Sequence, residues 1–376
     1  MNGIGVMGIN EPMYSLAGTL ETVAPHVPPA LVPPSAWSRV LSAARCMPAP
    51  LTDWIYLECR LLTGAPHQVD LIWRLSTAGR DLLVNRDTDV TSLEQLAGPH
   101  WGRLHDLCRR WADPGSVLHR AIDYLWLEFD LAAGADGSPS HIPLPGVFVD
   151  FADDPGTRRS CTEPGGVLEL VLEILHAGPF AQSTTQRLRE CLAKIPDGAY
   201  VPCVGYFSSR NGEAVRLCVA NLDDITLPTY LGDIAWPGSS AGLQRSIAPL
   251  AFHRTGQRKG VSMLHLDLTD AVLPKISVEC GFAHAPQIRG QLVETALLDE
   301  LVSRGLCSSS QRDDLKAWPG LSVAVLGHEL WPSLVMRRVN HLKVVYEGDR
   351  LAEVKAYLSL SYKRRQPRPP IADVDI

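Results

Sequence analysis

Hydrophobic and polar positions alternate in ten short runs that fall into five pairs. The pairs are WIYLECRL (54–61) with VDLIWRL (69–75), and DYLWLEFDL (123–131) with GVFVDF (146–151). They continue with YVPCVGYF (200–207) and VRLCVAN (215–221), then VSMLHLDL (261–268) and KISVECGF (275–282), then HLKVVY (341–346) and EVKAYLSL (353–360). Period-two alternation is the signature of a strand with one face buried. Turn chemistry joins each pair, with Asn211-Gly212 in the third loop and Glu347-Gly348-Asp349 in the fifth as the clearest examples. Between the pairs, Leu and Val recur at three- and four-residue spacing, which predicts helices over 35–46, 92–111 (broken near Pro99), 166–176, 180–194, 241–254, 288–304 and 309–317. The chain thus reads as α+β, with helix–strand–strand repeated five times.

The two faces of these strands differ. One is apolar throughout: Ile55, Leu57 and Cys59; Leu125, Leu127, Phe129 and Leu131; Leu264, Leu266 and Leu268; Ile276, Val278 and Cys280; Val354, Ala356, Leu358 and Leu360. Helices must cover it. The other carries Trp54, Tyr56, Glu58 and Arg60; Asp70 and Arg74; Tyr124, Trp126, Glu128 and Asp130; Phe148 and Asp150; Arg216 and Cys218; His265 and Asp267; Lys275 and Glu279; Lys355 and Tyr357. An open sheet wetting its polar face would explain any single hairpin. Ten antiparallel strands leave two costly edges unless the sheet closes, and so many aromatics on a solvated face would be unusual. A closed ten-stranded antiparallel barrel is therefore expected, with helices outside and a polar, aromatic lumen wide enough for a ligand.

Composition narrows the class. The 376 residues are 45% apolar and 20% charged, an ordinary globular balance, and the net charge of −6 disfavours nucleic acid as a partner. No apolar run reaches the length of a membrane span, and residues 1–14 lack a basic leader, so a cytoplasmic setting is expected. Nine scattered Cys without a CxxC read as reduced core thiols. Residues 1–34, Pro-rich over 24–34, are expected as an extended lead-in, 35–362 as a single barrel domain, and 363–376 as a flexible basic and Pro-rich tail.

Familiar catalytic strings are missing. Gly3, Gly5 and Gly8 spell GxGxxG with no strand before them, which excludes a dinucleotide site. GxSxG, P-loop and HExxH motifs do not occur. His265 and Asp267 share a strand face, but no further metal ligands can be named, and a hydrogen-bonded lumen pair is the simpler account.

The five repeats and the lumen pattern resemble the ABBA-type aromatic prenyltransferases, whose fold is the PT barrel. The resemblance spans roughly residues 35–362 and lies in topology and face pattern. It implies a prenyltransferase-like enzyme of specialised metabolism that moves a prenyl group from an allylic diphosphate to an aromatic or peptide acceptor. Under it, Glu58 and Glu128 are the catalytic carboxylates. Arg74, Arg216, Lys275, Lys343, Lys355 and Tyr357 bind diphosphate, and Trp54, Tyr56, Tyr124 and Trp126 shield the allylic cation. The resemblance leaves participation of Mg²⁺ open. Two departures stand out. The family's Arg-x-Lys-x-Tyr run is Arg216, Cys218, Ala220 here, and a return-strand Lys-x-Tyr is replaced by Phe148 and Asp150. These acids and lost cations keep an alternative in play: a barrel that does not prenylate, either a binding or accessory protein or another tailoring enzyme for a peptide or small-molecule natural product.

Overall fold

A computed structural model describes residues 15–61, 68–84, 99–131, 144–208, 214–250, 260–282, 287, 295–326 and 331–364. The Gly3/Gly5/Gly8 spacing, the start of the 92–111 helix, the Asn211-Gly212 turn, the end of the 241–254 helix, residues 288–294 and the tail beyond Arg364 lie outside the described residues.

Eleven strands form one antiparallel sheet: β1 (Trp54–Arg60), β2 (Val69–Leu75), β3 (Ile122–Phe129), β4 (Gly146–Phe151), β5 (Cys203–Tyr206), β6 (Val215–Asp223), β7 (Gly260–Leu268), β8 (Val272–Gly281), β9 (Gly320–Val325), β10 (Pro332–Glu347) and β11 (Arg350–Arg364). Strands β1 to β8 pair in sequence order, β8 pairs with β10, β10 with β11, and β11 returns to β1. That last ladder sets Leu57 opposite Leu358 and Glu58 opposite Tyr357, so the sheet is a closed ten-stranded barrel. Closure removes the edges that ten separate strands would expose. Neighbouring strands run antiparallel throughout.

Period-two alternation decides which side chains face out. Leu57, Leu71, Trp73, Leu125, Leu127, Phe129, Leu217, Leu264, Leu266 and Leu358 are essentially inaccessible to solvent. Helices cover them, as Val167–His176 shows by burying Val167, Leu168, Val171, Leu172 and Leu175 along one stripe. Each such side chain contributes about 1.5–3 kcal/mol when fully removed from water. Some helix starts are fixed by side-chain caps: Asp154 accepts from Gly156 and Thr157, and Ser308 forms a capping box with Gln311.

Four expectations need correction. The Pro-rich segment is not an extended lead-in: Leu16–Glu21 is helical, Ala24–His26 is a 3₁₀ turn, and Val23, Leu31 and Val32 are buried. Prolines there make turns that leave few unsatisfied donors, and the apolar residues between them anchor in the core; the Ala30 N–H donates to Asp314 Oδ2 at 2.6 Å. Strand β11 runs through Lys363 and Arg364, which pair with Leu334 and Ser333, so the strand overruns the expected start of the tail. Strand β10 is sixteen residues long instead of six, and β9 was not anticipated. A bulge at Asn340 breaks the alternation between Val339 and His341, so the pattern on its far side does not read as the same strand. Short helices at Thr77–Val84, Val117–Ala121, Pro155–Thr162 and Thr226–Asp233 also escape a periodicity reading, because one or two turns carry too few apolar repeats.

Candidate functional site

The lumen face encloses a chamber of about 200 Å³ in the barrel interior. Its wall combines a ring belt and a histidine–carboxylate cluster, and Tyr357 of that wall donates to a buried carboxylate, Glu58.

Glu58 is 1% exposed on β1. Lys355 Nζ lies 2.5 Å from Glu58 Oε1, and the Tyr357 hydroxyl donates to Oε2. Pairing of β1 with β11 brings these three side chains together, although about three hundred residues separate them in the chain. Burial alone would raise the Glu58 carboxyl; Lys355, Lys343 and the Tyr357 hydrogen bond outweigh it and hold the group well below the usual carboxylate range. The same contacts keep Lys355 cationic against burial, while burial first and Glu58 second push the Tyr357 phenol up.

The rings form one continuous belt. Tyr56 stacks on Trp126 with centroids 4.6 Å apart, and Tyr124 and Trp54 meet Trp126 edge-on at 5.7 and 6.5 Å. Tyr357 stacks on His341 at 4.0 Å, and Lys343 Nζ lies 5.1 Å from the Tyr357 ring centre. These positions come from successive inward residues of β1, β3, β10 and β11. A belt of negative ring faces attracts a cation held in the chamber.

Glu279 organises the opposite wall. Its Oε1 accepts from His265 Nε2 at 2.7 Å and lies 3.5 Å from both His341 Nε2 and Lys343 Nζ. Burial would raise its carboxyl, but His341, His265 and Lys343 keep it well below the ordinary range. His341 is pushed down to about 4, mainly by burial, and is neutral near pH 7. His265 is displaced the other way: burial opposes its charge, and Cys218 and Glu279 prevail. Asp150 is pushed well up by burial, Cys218 and Glu279, and its carboxyl lines the chamber. Its Oδ2 is buried without a hydrogen-bond partner. Asp70 rises to about 6, from burial and the nearby Glu58.

The residues expected to bind diphosphate have several fates. Lys343, Lys355 and Tyr357 face the lumen and meet there. Lys343 and Lys355 engage Glu279 and Glu58. Arg216 forks onto Asp267 at 2.7 and 2.9 Å, above the Phe207 ring. Arg74 lies between the Trp54 and Tyr124 rings and reaches both Asp53 oxygens at 2.8 and 3.0 Å. Lys275 is exposed, and neither it nor Arg74, Arg216 or Lys355 lines the chamber, where only Lys343 and Tyr357 of this set stand. Glu128 is buried and lines the chamber, as do Tyr56, Tyr124 and Trp126, whereas Trp54 backs the belt from one end. The His265/Asp267 pair divides, with His265 joining Glu279 and Asp267 joining Arg216. Among the described residues no group of three or more His, Cys, Asp or Glu is disposed to hold a metal ion.

Glu279, His265, His341, Asp150, Cys203 and Arg338 were not singled out as site residues. Five of them sit at inward positions that alternation identifies, His341 at the parity of Lys343, whereas Arg338 lies beyond the bulge that breaks the pattern of its strand. Arg338 is buried opposite Ser359, donates to Met336 Sδ at 3.0 Å, and makes no ion pair among the described residues.

No family model and no curated protein sequence matches the chain. Solved structures do. The chain is similar to the prenyltransferase PriB in its apo form, with 14% identity and a TM-score of 0.52 over 94% of this chain and 97% of that one. It is also similar to 5-dimethylallyltryptophan synthase from Streptomyces coelicolor, with 13% identity and a TM-score of 0.54 over 92% and 97% of the two chains. The same synthase in complex with DMASPP and Trp gives 13% identity and a TM-score of 0.51 over 95% and 97%. Closed strand order, outer helices and near full-length superposition agree: the chain has the fold of the ABBA prenyltransferases, the PT barrel.

Proposed function

We propose that the protein is a prenyltransferase-like enzyme of natural-product biosynthesis, acting in the cytoplasm, that joins a short allylic group from its diphosphate to an aromatic acceptor, free or in a peptide. The observation that carries this reading is the buried Glu58 carboxylate, fixed by Lys355 and Tyr357, beside the belt of Tyr56, Trp126, Tyr124 and Trp54. An allylic cation formed in the chamber gains roughly 0.5–2 kcal/mol from each ring face it meets. The acceptor orients on Glu58, and Glu58 or Glu128 takes the proton released when the new carbon–carbon bond rearomatises. Lys343, Lys355, Arg216, Arg74 and Arg338 provide the positive side of the lumen for the departing diphosphate. The fold is that of a synthase solved with DMASPP and Trp, which supports the same pairing of substrates.

A second reading has its own support. Lys343, Lys355, Arg216 and Arg74 are each already matched by a carboxylate, which leaves little uncompensated charge for a trianionic ligand. A barrel that does not prenylate, binding or modifying a small molecule or peptide, satisfies this balance.

Titration calorimetry with dimethylallyl and geranyl diphosphate separates the two. Prenyl transfer requires binding of at least one, loss of binding in Lys355→Ala, and unchanged binding in Lys363→Ala, whose side chain is exposed on β11. Mass spectrometry of incubations with tryptophan and tryptophan-containing peptides then reads the product. Failure of the native protein to bind either diphosphate removes the first reading and leaves the second.

A further inference from the structure

Two thiols face each other in the barrel wall. The β5–β6 ladder pairs Val204 with Leu217, which sets Cys203 opposite Cys218 on the lumen side. Cys218 Sγ lies 3.2 Å from His265 Nδ1, across the β6–β7 ladder. The other nitrogen of that ring is bound by Glu279, at 2.7 Å. A thiol, an imidazole and a carboxylate in line is the arrangement that activates a nucleophile, with the third group fixing the ring. Cys218 is fully buried, whereas Cys203, His265 and Glu279 line the chamber. The wall around Cys203 is soft and apolar: Met263 Sδ is 4.0 Å from its sulfur, and Phe148 and Phe207 pack beside it. Directly across the β4–β5 ladder stands Asp150, the carboxyl with an unpartnered oxygen.

We propose that Cys203 is a nucleophile for a small, uncharged α,β-unsaturated carbonyl compound, with Cys218, His265 and Glu279 as its proton relay and Asp150 as the donor to the carbonyl oxygen. The Cys203 sulfur forms a bond to the β-carbon, and the carbon–carbon π bond opens toward the α-carbon. The Cys203 proton passes to Cys218, and His265 delivers a proton to the α-carbon. Transfer from Cys218 back to His265 restores the relay. The adduct contains every atom of thiol and substrate, so neither oxidant nor leaving group is required. This site is independent of the prenyl-transfer reading, since it uses none of the residues assigned to the allylic cation or its diphosphate.

Other buried cysteines lack this setting. Cys59 and Cys280 point outward into the core beneath the helices, away from the chamber that Cys203 lines. Cys46 is half-buried outside the barrel and serves as an internal reference.

The test is substoichiometric labelling of the full-length protein with N-ethylmaleimide at pH 7, read by peptide mass mapping. Cys203 is expected to label at least tenfold faster than Cys46. His265→Gln and Glu279→Gln are expected to slow Cys203 by tenfold or more and leave the Cys46 rate unchanged, which a general loosening of the fold would not do. If His265→Gln unfolds, Cys59 and Cys280 label with it; Asp150→Ala then carries the test, with slower Cys203 labelling expected. Cys203 labelling no faster than Cys46 overturns the proposal, as does a Cys203 rate unaffected in a folded relay variant.

Discussion

Replacing Lys355 with Met isolates the central ion pair of the chamber. The Glu58 carboxylate is 1% exposed and has Lys355 at 2.5 Å. Removing one member of a buried pair leaves an uncompensated charge, which destabilises by about 3–5 kcal/mol. Here the Tyr357 hydroxyl stays on Glu58 and Lys343 remains near, so the lower end, about 3 kcal/mol, is expected for Lys355→Met. Glu58→Gln in the same background removes the stranded charge and keeps the shape. The double variant Glu58→Gln/Lys355→Met should therefore recover to within about 1 kcal/mol of the parent, so the coupling is at least about 2 kcal/mol in magnitude and grows by whatever Glu58→Gln costs alone. Guanidinium unfolding followed by tryptophan fluorescence at pH 7.5, with a common m-value, gives all four corners of the cycle. A loss below about 1 kcal/mol in Lys355→Met, or a double variant equal to the sum of the singles, would refute the reasoning.

Three other outcomes follow from the same geometry. His341 is neutral in the folded protein because burial lowers it from 6.5 to about 4, so the unfolded chain binds the extra proton first; its contribution to stability is intact above pH 6.5 and falls as pH drops toward 4, and His341→Asn should flatten that limb of a stability–pH curve. Trp126→Leu removes the stack on Tyr56 and should weaken binding of tetramethylammonium about fivefold by calorimetry, the equivalent of about 1 kcal/mol of cation–ring attraction. Gly146→Ala drives a methyl to within 2.3 Å of the Phe207 ring and should lower stability by about 1–3 kcal/mol in thermal melts, whereas Val323→Lys, at a site 70% exposed on β9, should change it by no more than about 0.5 kcal/mol.

The sequence makes the barrel legible because closure and alternation are coupled. Leu57, Leu71, Leu127 and Leu358 occupy one parity on four strands, and no other arrangement buries all of them beneath helices. The pairing of Glu58 with Lys355 and Tyr357 was not legible, although all three were identified as lumen residues. Their partnership depends on the β1–β11 register, which joins the two ends of the barrel and leaves no local trace. Nor did composition reveal which cations are neutralised. Arg216 and Asp267 lie about fifty residues apart and meet through a ladder between β6 and β7, while Arg74 finds Asp53 just before its neighbouring strand. The first half of β10 was invisible for a different reason: one extra residue at Asn340 inverts the phase of the pattern, so that Arg337 and Arg338 do not read as members of the strand containing His341 and Lys343.

Closure has a kinetic consequence as well. Each of the ten barrel strands is held by ladders on both sides, so no one of them can peel away without breaking two rows of backbone bonds at once. Strand β9 is bound along β10 alone, with Leu321, Val323 and Val325 turned to solvent. Amide exchange should accordingly proceed in two regimes: β9 opens on its own at low free energy, while the amides of β1, β6 and β11 exchange together through global unfolding. The barrel would then behave as a single cooperative unit and the β9 flap as a separable one, although both belong to the same hydrogen-bonded sheet.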